Sequence, residues 1–394
     1  MRNLKHALHV SKVVLAPLLA FGLATALVAP ASASTGPSAT NASARCRDHH
    51  DVQQALDELT ATHGLPGVTL EVTGPACGRW IGTSGVANLE TQQPMPRHPA
   101  YRIGSITKTF TATVVLQLVA ERKVELDAPI ERYLPGLIRQ NGYDGRRITV
   151  RQLLQHTSGL PDYTETLADD LDSWRFRHAE PSELIAIALG MPPPDQPWHY
   201  STTNYIVAGL LVEHVTGNSF DRELERRIIR PLHLRDTYWP GDEVTIRGIH
   251  PRGYYPVEEN GSIVLKDFTE LNPTWAGAGG AVISTNADLN RYFDALLSGR
   301  LLPRKELAEM RRTVEADPDR TWPGARYGLG LISTPLSCGG LSWGHAGTTP
   351  GFRAVSVRTD DGRRLSMVIN AVPLTEAAEI AFQNVIDTAL CEAH

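Results

Sequence analysis

Residues 127–273 show no sustained alternation of apolar and polar side chains and read as helices joined by Pro-rich loops, yet strand-like segments lie on both sides of them. Before them come strands expected at 67–72 and 79–86. After them come 281–284 and the stretch 341–371, with a hairpin turn at Asp360-Asp361-Gly362. A sheet assembled from both ends of a chain forces the middle to loop out of it. The expected fold is therefore α/β (α+β): an antiparallel sheet flanked by helices, built from 45–126 and 274–394, with a mainly helical lobe at 127–273. Helices are expected around 52–60, from Ser105 onward with Phe110, Val114, Val115 and Leu118 on one face, and at 375–390. There is no internal repeat.

The N-terminus carries Arg2, Lys5 and Lys12, a mostly apolar run over 13–28, and then Ala31-Ser32-Ala33. This is the pattern of a secretory signal, so residues 1–33 are expected to be removed and the mature protein to be extracellular. No Arg pair precedes the run and no Cys sits at the expected cut, so neither twin-arginine export nor a lipid anchor is indicated. The run is also shorter than the ~20 apolar residues of a spanning helix, so no stable membrane anchor is expected. Residues 34–44, rich in Ser, Thr, Ala and Pro, read as a disordered leader.

Loss of the three N-terminal cations takes the formal charge from −5 to −8, which speaks against nucleic acid or an anionic membrane as partner. The roughly 360 remaining residues suit one two-lobed domain or two domains, and a monomer is expected. Cys46, Cys77, Cys338 and Cys391 in an exported chain imply two disulfides. Three connectivities are open, and Cys46–Cys77 with Cys338–Cys391 is preferred. There is no C-x-x-C and no H-E-x-x-H, so neither a metal nor an organic cofactor is expected.

The chemistry is carried by Ser105-Ile106-Thr107-Lys108 at the start of a helix. Spacing of three puts hydroxyl and amine on one helical face. A Ser-x-x-Lys match is weak by itself, but this chain uses 32 Arg against 6 Lys and spends one of the six here. Arg cannot release its proton; a desolvated Lys can, and then serves as base toward a serine nucleophile. The unpaired N–H groups of a helix start, that of Ser105 among them, also suit a developing oxyanion.

Further along stand Tyr200-Ser201-Thr202-Thr203-Asn204-Tyr205 and Trp343-Gly344-His345-Ala346-Gly347-Thr348. With Ser105-x-x-Lys108 they have the order and approximate separations of the penicillin-recognising serine enzymes. The chain most resembles the soluble D-alanyl-D-alanine carboxypeptidases and class C β-lactamases. Other shared stretches are 101–105 (YRIGS), 153–160 (LLQHTSGL), 278–284 (AGGAVIS), 327–331 (YGLGL) and 336–339 (LSCG), so the likeness spans nearly the whole mature chain.

This resemblance implies a β-lactamase/DD-peptidase-like fold, with Ser105 as nucleophile, Lys108 as its activator and Tyr200 as a proton shuttle whose phenolate nearby cations favour. His345 takes the position of the third motif's cation, which would make activity titrate near neutrality. The N–H of Thr348 would complete the oxyanion hole with that of Ser105. Thr202 and Trp275 would line the substrate pocket, Trp275 equally reading as ordinary core. Expected ligands are a small-molecule or peptide substrate of peptidoglycan type, with β-lactams as inhibitors or substrates.

Three positions depart from the pattern. Thr202 replaces the usual Asn, Ala346 replaces a hydroxyl that holds the substrate's terminal carboxylate, and Ile332 stands where the carboxypeptidases bring an Arg to that carboxylate. Arg353 is a candidate replacement for those contacts, with a surface cation as the preferred reading. A carboxypeptidase is the leading expectation; an esterase, amidase or weak β-lactamase, or a penicillin-binding sensor or scaffold, are the alternatives. Gly340-Leu341-Ser342-Trp343-Gly344 matches a nucleophile elbow, but Gly347 and Pro350 follow where a helix is needed. His156 reads as part of a turn and as packing behind the site, and Asp162 and Asp195 as solvated loop carboxylates.

Overall fold

The computed structural model describes residues 49–75, 78–167, 170–318 and 320–392. The signal segment 1–33, the leader 34–44 and the Cys46–Cys77 pairing lie outside the described residues.

The strands are β1 Gly67–Gly74, β2 Gly78–Gly85, β3 Ala100–Arg102, β4 Tyr254–Glu259, β5 Ser262–Asp267, β6 Ile283–Thr285, β7 Val314–Glu315, β8 Arg326–Tyr327, β9 Ile332–Pro335, β10 Leu341–Thr349, β11 Phe352–Thr359 and β12 Arg364–Ile369. Eight of them form one antiparallel sheet in the order β2-β1-β12-β11-β10-β9-β8-β7. The N-terminal hairpin therefore docks on the last strand, with Val68 opposite Ile369. The main helices are α1 His50–Ala61, α2 Thr107–Ala120, α3 Val150–Gln155, α4 Pro181–Leu189, α5 Thr203–Thr216, α6 Asn286–Leu297 and α7 Glu376–Cys391.

Strand periodicity sorts the side chains onto two faces. Leu70 and Val72 of β1, Val355 and Val357 of β11, and Leu365 and Met367 of β12 meet Val52 and Leu56 of α1 and Phe382 and Val385 of α7. On the opposite face Ala354 and Val368 join a larger core with Leu289, Phe293 and the apolar side chains of α2 from Phe110 to Leu118. Helix α2 departs from the amphipathic pattern. Every residue of 106–116 is buried, because the helix runs between the sheet and α5 rather than along a surface. Its four threonines then need internal acceptors, and Thr109 finds Gly330 O at 2.7 Å while Thr111 finds Ala278 O at 2.6 Å.

The stretch 127–273 contains one departure, the hairpin β4–β5. Most of its residues are exposed or half-buried, so no apolar face announced it. The paired short strands β3 and β6 bring residue 102 beside 283 and so set the start of α2 against the segment that follows the inserted stretch.

Cys338 and Cys391 form a disulfide across 53 residues of chain, tying the β9–β10 loop to the end of α7. Closing a loop of that length removes about 4 kcal/mol of unfolded-state entropy in the chain-entropy picture. The double variant C338S/C391S is expected to unfold at lower temperature and lower denaturant concentration, with the activity at 25 °C retained; a midpoint equal to wild type would show that the bridge adds nothing.

Candidate active site

Ser105 sits in a 3-10 turn, Gly104–Ile106, immediately before α2. It is half-buried within a run, 100–116, in which every other residue is buried. The turn is possible because Gly104 has φ +54°; a Cβ there would lie 2.8 Å from the main-chain N and O of Thr348. Gly347 is tighter still, since a Cβ would fall 1.9 Å from Ile103 O and 3.1 Å from Ser105 N. Strand β10 thus runs backbone to backbone against the serine turn, with the main chain of Thr348 beside that of residues 104 and 105. Its side chain is exposed.

One turn into the helix, Lys108 is fully buried. Its Nζ lies 3.1 Å from Ser105 Oγ, 2.9 Å from Gly279 O and 3.4 Å from Thr202 Oγ1. Burial lowers its pKa to about 7, against the opposing charge of Asp162. A neutral amine with two N–H groups can serve the carbonyl and Thr202 and still offer its lone pair to the serine hydroxyl.

Asp162 differs from its reading as a solvated loop residue. Pro161 O accepts from the hydroxyls of Ser201 (2.9 Å) and Thr203 (2.6 Å), which fastens the loop to the start of α5 and buries the carboxylate. Its Oδ2 faces Thr202 Oγ1 at 3.5 Å, so the hydroxyl of Thr202 bridges amine and carboxylate. Burial raises the Asp162 pKa, countered by Lys108. Asp195 is exposed as expected.

The Tyr200 ring lies 4.9 Å from Lys108 Nζ, and its hydroxyl is hydrogen-bonded to Ser105. Burial drives its pKa upward, with that bond opposing, so Tyr200 is a neutral phenol and the phenolate suggested by the sequence is not favoured here. The base form falls to Lys108 instead.

His345 also departs from expectation. It is buried, and desolvation lowers its pKa to about 3, so it is neutral rather than a cation titrating near pH 7. The chain of bonds around it fixes both ring nitrogens. The N–H of Ser201 donates to His156 Nδ1 at 3.1 Å, which leaves the His156 proton on Nε2, 3.2 Å from Tyr327 Oη. Asn204 Nδ2 donates to the same Nδ1 at 3.1 Å. Tyr327 then donates to His345 Nε2 at 2.9 Å, and His345 Nδ1 donates to Ala346 O at 2.5 Å. Every donor points the same way along this chain. His156, read as a turn residue packing behind the site, holds Tyr327 and His345 in place, and does so from a left-handed backbone, φ +63°, at the end of α3. Its HTSG motif was visible in the sequence, but its partners, 171 and 189 residues away, were not.

Trp275 is half-buried against the larger core, and its carbonyl accepts from Tyr163 Oη at 2.5 Å. Ser342 lies inside β10, paired with Thr334 and Thr359, with no helix after it. Arg353 is not a free surface cation: its side chain is 13 % exposed and paired to Glu379 at 2.6 Å. Among the described residues no cluster of His, Cys, Asp and Glu could hold a metal ion, and no helix is long and apolar enough to cross a membrane.

A half-buried hydroxyl touching a buried amine and a phenol, on this sheet-and-helix frame, defines a serine hydrolase of the penicillin-recognising class. The family model described as Beta-lactamase matches residues 52–390, and the chain belongs to that family. Among solved structures it is similar to a D-stereospecific amidohydrolase from Streptomyces sp. (40% identity, TM-score 0.79, covering 87% of this chain and 99% of that one). It is also similar to the D-amino acid amidase of Ochrobactrum anthropi SV3 complexed with L-phenylalanine amide (28% identity, TM-score 0.72, covering 89% and 98%). Among curated proteins, penicillin-binding protein 4 of Amycolatopsis lactamdurans is 29% identical over 317 residues, 77% of this chain and 80% of that protein.

Proposed function

We propose that this chain is an exported serine amidohydrolase that cleaves amides of D-configured acyl groups through an acyl-enzyme on Ser105. The observation that carries the reading is the buried Lys108 amine, with a pKa of about 7, 3.1 Å from Ser105 Oγ. In its neutral form Lys108 takes the hydroxyl proton as Oγ attacks the acyl carbon, and the oxyanion lies between the N–H groups of Ser105 and Thr348. The C–N bond then breaks. The departing amine takes the Tyr200 phenol proton, and the Lys108 ammonium restores it. Water adds to the ester by the reverse path and releases the acid.

An amide is preferred to a terminal D-alanine because nothing at the third motif is built to grip a carboxylate. Ala346 has no hydroxyl and packs against the core that the sheet shares with Phe382 and Val385, and Ile332 is paired across from Gly344. The solved relative named as a D-stereospecific amidohydrolase, at 40% identity, supports the same choice. Export rests on the N-terminal signal pattern and agrees with the disulfide.

The test is a panel of D- and L-phenylalanine amide, a peptide ending in D-Ala-D-Ala, and a short-chain ester, run with wild type and Ser105→Ala. Turnover of the D-amide exceeding that of the L-amide and the D-Ala-D-Ala peptide by at least ~10-fold, and lost in S105A, is the expected result. Faster release of D-alanine than of ammonia would replace the reading with a carboxypeptidase.

A further inference from the structure

Strands β10 and β11 place Thr348 directly opposite Arg353. Arg353 Nη1 donates to Thr348 Oγ1 at 3.3 Å, so the guanidinium stands one hydroxyl away from the residue beside the serine turn. His345, three residues before Thr348 on β10, has its ring 6.4 Å from that of Tyr200, and the Arg353 charge is felt at both. Tyr200 protonates the departing group in the reading above, which puts Arg353 on the leaving side of the scissile bond.

A cation in that place is a natural partner for a carboxylate on the leaving group. It is already occupied. Glu379, from the first turn of α7, accepts from Arg353 Nη2 at 2.6 Å, and its other oxygen lies 3.4 Å from Nε. Glu379 is itself held, because Trp322 Nε1 donates to it at 3.1 Å and Gln383 bonds it as well. Burial would raise the Glu379 pKa, but the Arg353 charge and these bonds keep it below its ordinary value, so the pair is ionic at neutral pH. The second cation felt at Tyr200, Arg320, is likewise paired, with Glu165 at 2.6 Å.

We propose that the Arg353–Glu379 ion pair is a specificity device: Glu379 neutralises the cation on the leaving side, turning the site toward acyl donors whose leaving group is uncharged and away from those that carry a carboxylate there. The assignment rests on the amidohydrolase reading for its sense of direction. It explains how the site can retain a well-placed Arg and still lack carboxylate recognition. A donor carboxylate would have to displace Glu379 from a bidentate-like grip that is already hydrogen-bonded from behind.

The test uses a matched pair of acylating agents, benzylpenicillin and its methyl ester, which share the reactive ring and differ only in the carboxylate on the leaving side. Second-order rates of adduct formation on Ser105 are measured for wild type, Glu379→Gln and the double variant E379Q/R353Q. The amide oxygen introduced by E379Q still accepts from Trp322 and so preserves the local fold. E379Q is expected to raise the acid-to-ester rate ratio at least tenfold, and the double variant to return it to the wild-type value. An unchanged ratio in E379Q, or a ratio that stays raised when Arg353 is removed, overturns the proposal. Because the readout is a ratio of acylation rates, it stands apart from amide turnover: failure of the D-amide assay would sink the proposed function and leave this comparison intact.

Discussion

Lys108→Met is expected to lower kcat/KM for the preferred substrate about 10³-fold while leaving the melting temperature within a few degrees of wild type. The loss follows from removing the only buried amine in contact with Ser105 Oγ among the described residues; a positioned base contributes 10²–10⁴-fold as a rule. The fold tolerates the change because Met has nearly the shape of the lysine stem and needs no solvation. The desolvation that lowers the Lys108 pKa is itself a cost to the folded state.

The same amine sets the pH profile. The active form is the neutral one, so kcat/KM should fall tenfold per unit below about pH 7 and level off above it, with no inflection from His345, whose pKa is about 3. The sign can be checked with Asp162→Asn. The carboxylate raises the Lys108 pKa, so its removal should move the acid limb to lower pH. Wild-type rates in K108M, or an acid limb that moves upward in D162N, would show that Lys108 is not the base.

Gly347→Ala is expected to cost 10²–10³-fold in kcat, the size of a lost oxyanion donor. A Cβ at 1.9 Å from Ile103 O cannot be accommodated by side-chain movement, since the obstacle is backbone; β10 must separate from the serine turn and carry the Thr348 N–H with it. Acylation by benzylpenicillin, followed directly as adduct formation, should slow to the same extent. A near-native near-ultraviolet circular dichroism spectrum beside the lost rate would separate this effect from unfolding, and retention of activity within tenfold would remove Thr348 from the oxyanion hole.

The elements legible in the sequence are those whose pattern is local. The hairpin β1–β2, the antiparallel run β10–β12 and helix α7 follow from alternation, turn residues and helical periodicity, and the structure adds the cap on α7 at Thr375. Strands β7 to β9, of two to four residues, are too short to carry a period. Helix α2 showed an apolar stripe at Phe110, Val114 and Leu118, but its burial on the threonine side depends on acceptors supplied by Ala278 and Gly330 from distant segments.

The site divides in the same way. Ser105 and Lys108 are neighbours on one turn and could be paired by spacing alone. The charge states could not. Asp162 is buried only because Ser201 and Thr203 bond Pro161 O, and His345 is neutral only because it is enclosed with Tyr327 and His156. Residue identity names candidate acids and bases; their protonation is decided by neighbours tens to hundreds of positions away.

The enclosure of α2 on all sides carries an evolutionary consequence. A helix locked by contacts around its whole circumference offers almost no position where a volume change would go unpunished, so the reactive pair is effectively frozen. The positions to which substrate choice is assigned above, 332, 346, 353 and 379, all lie outside that helix and are half-buried rather than enclosed, so an exchange there leaves the engine beneath undisturbed.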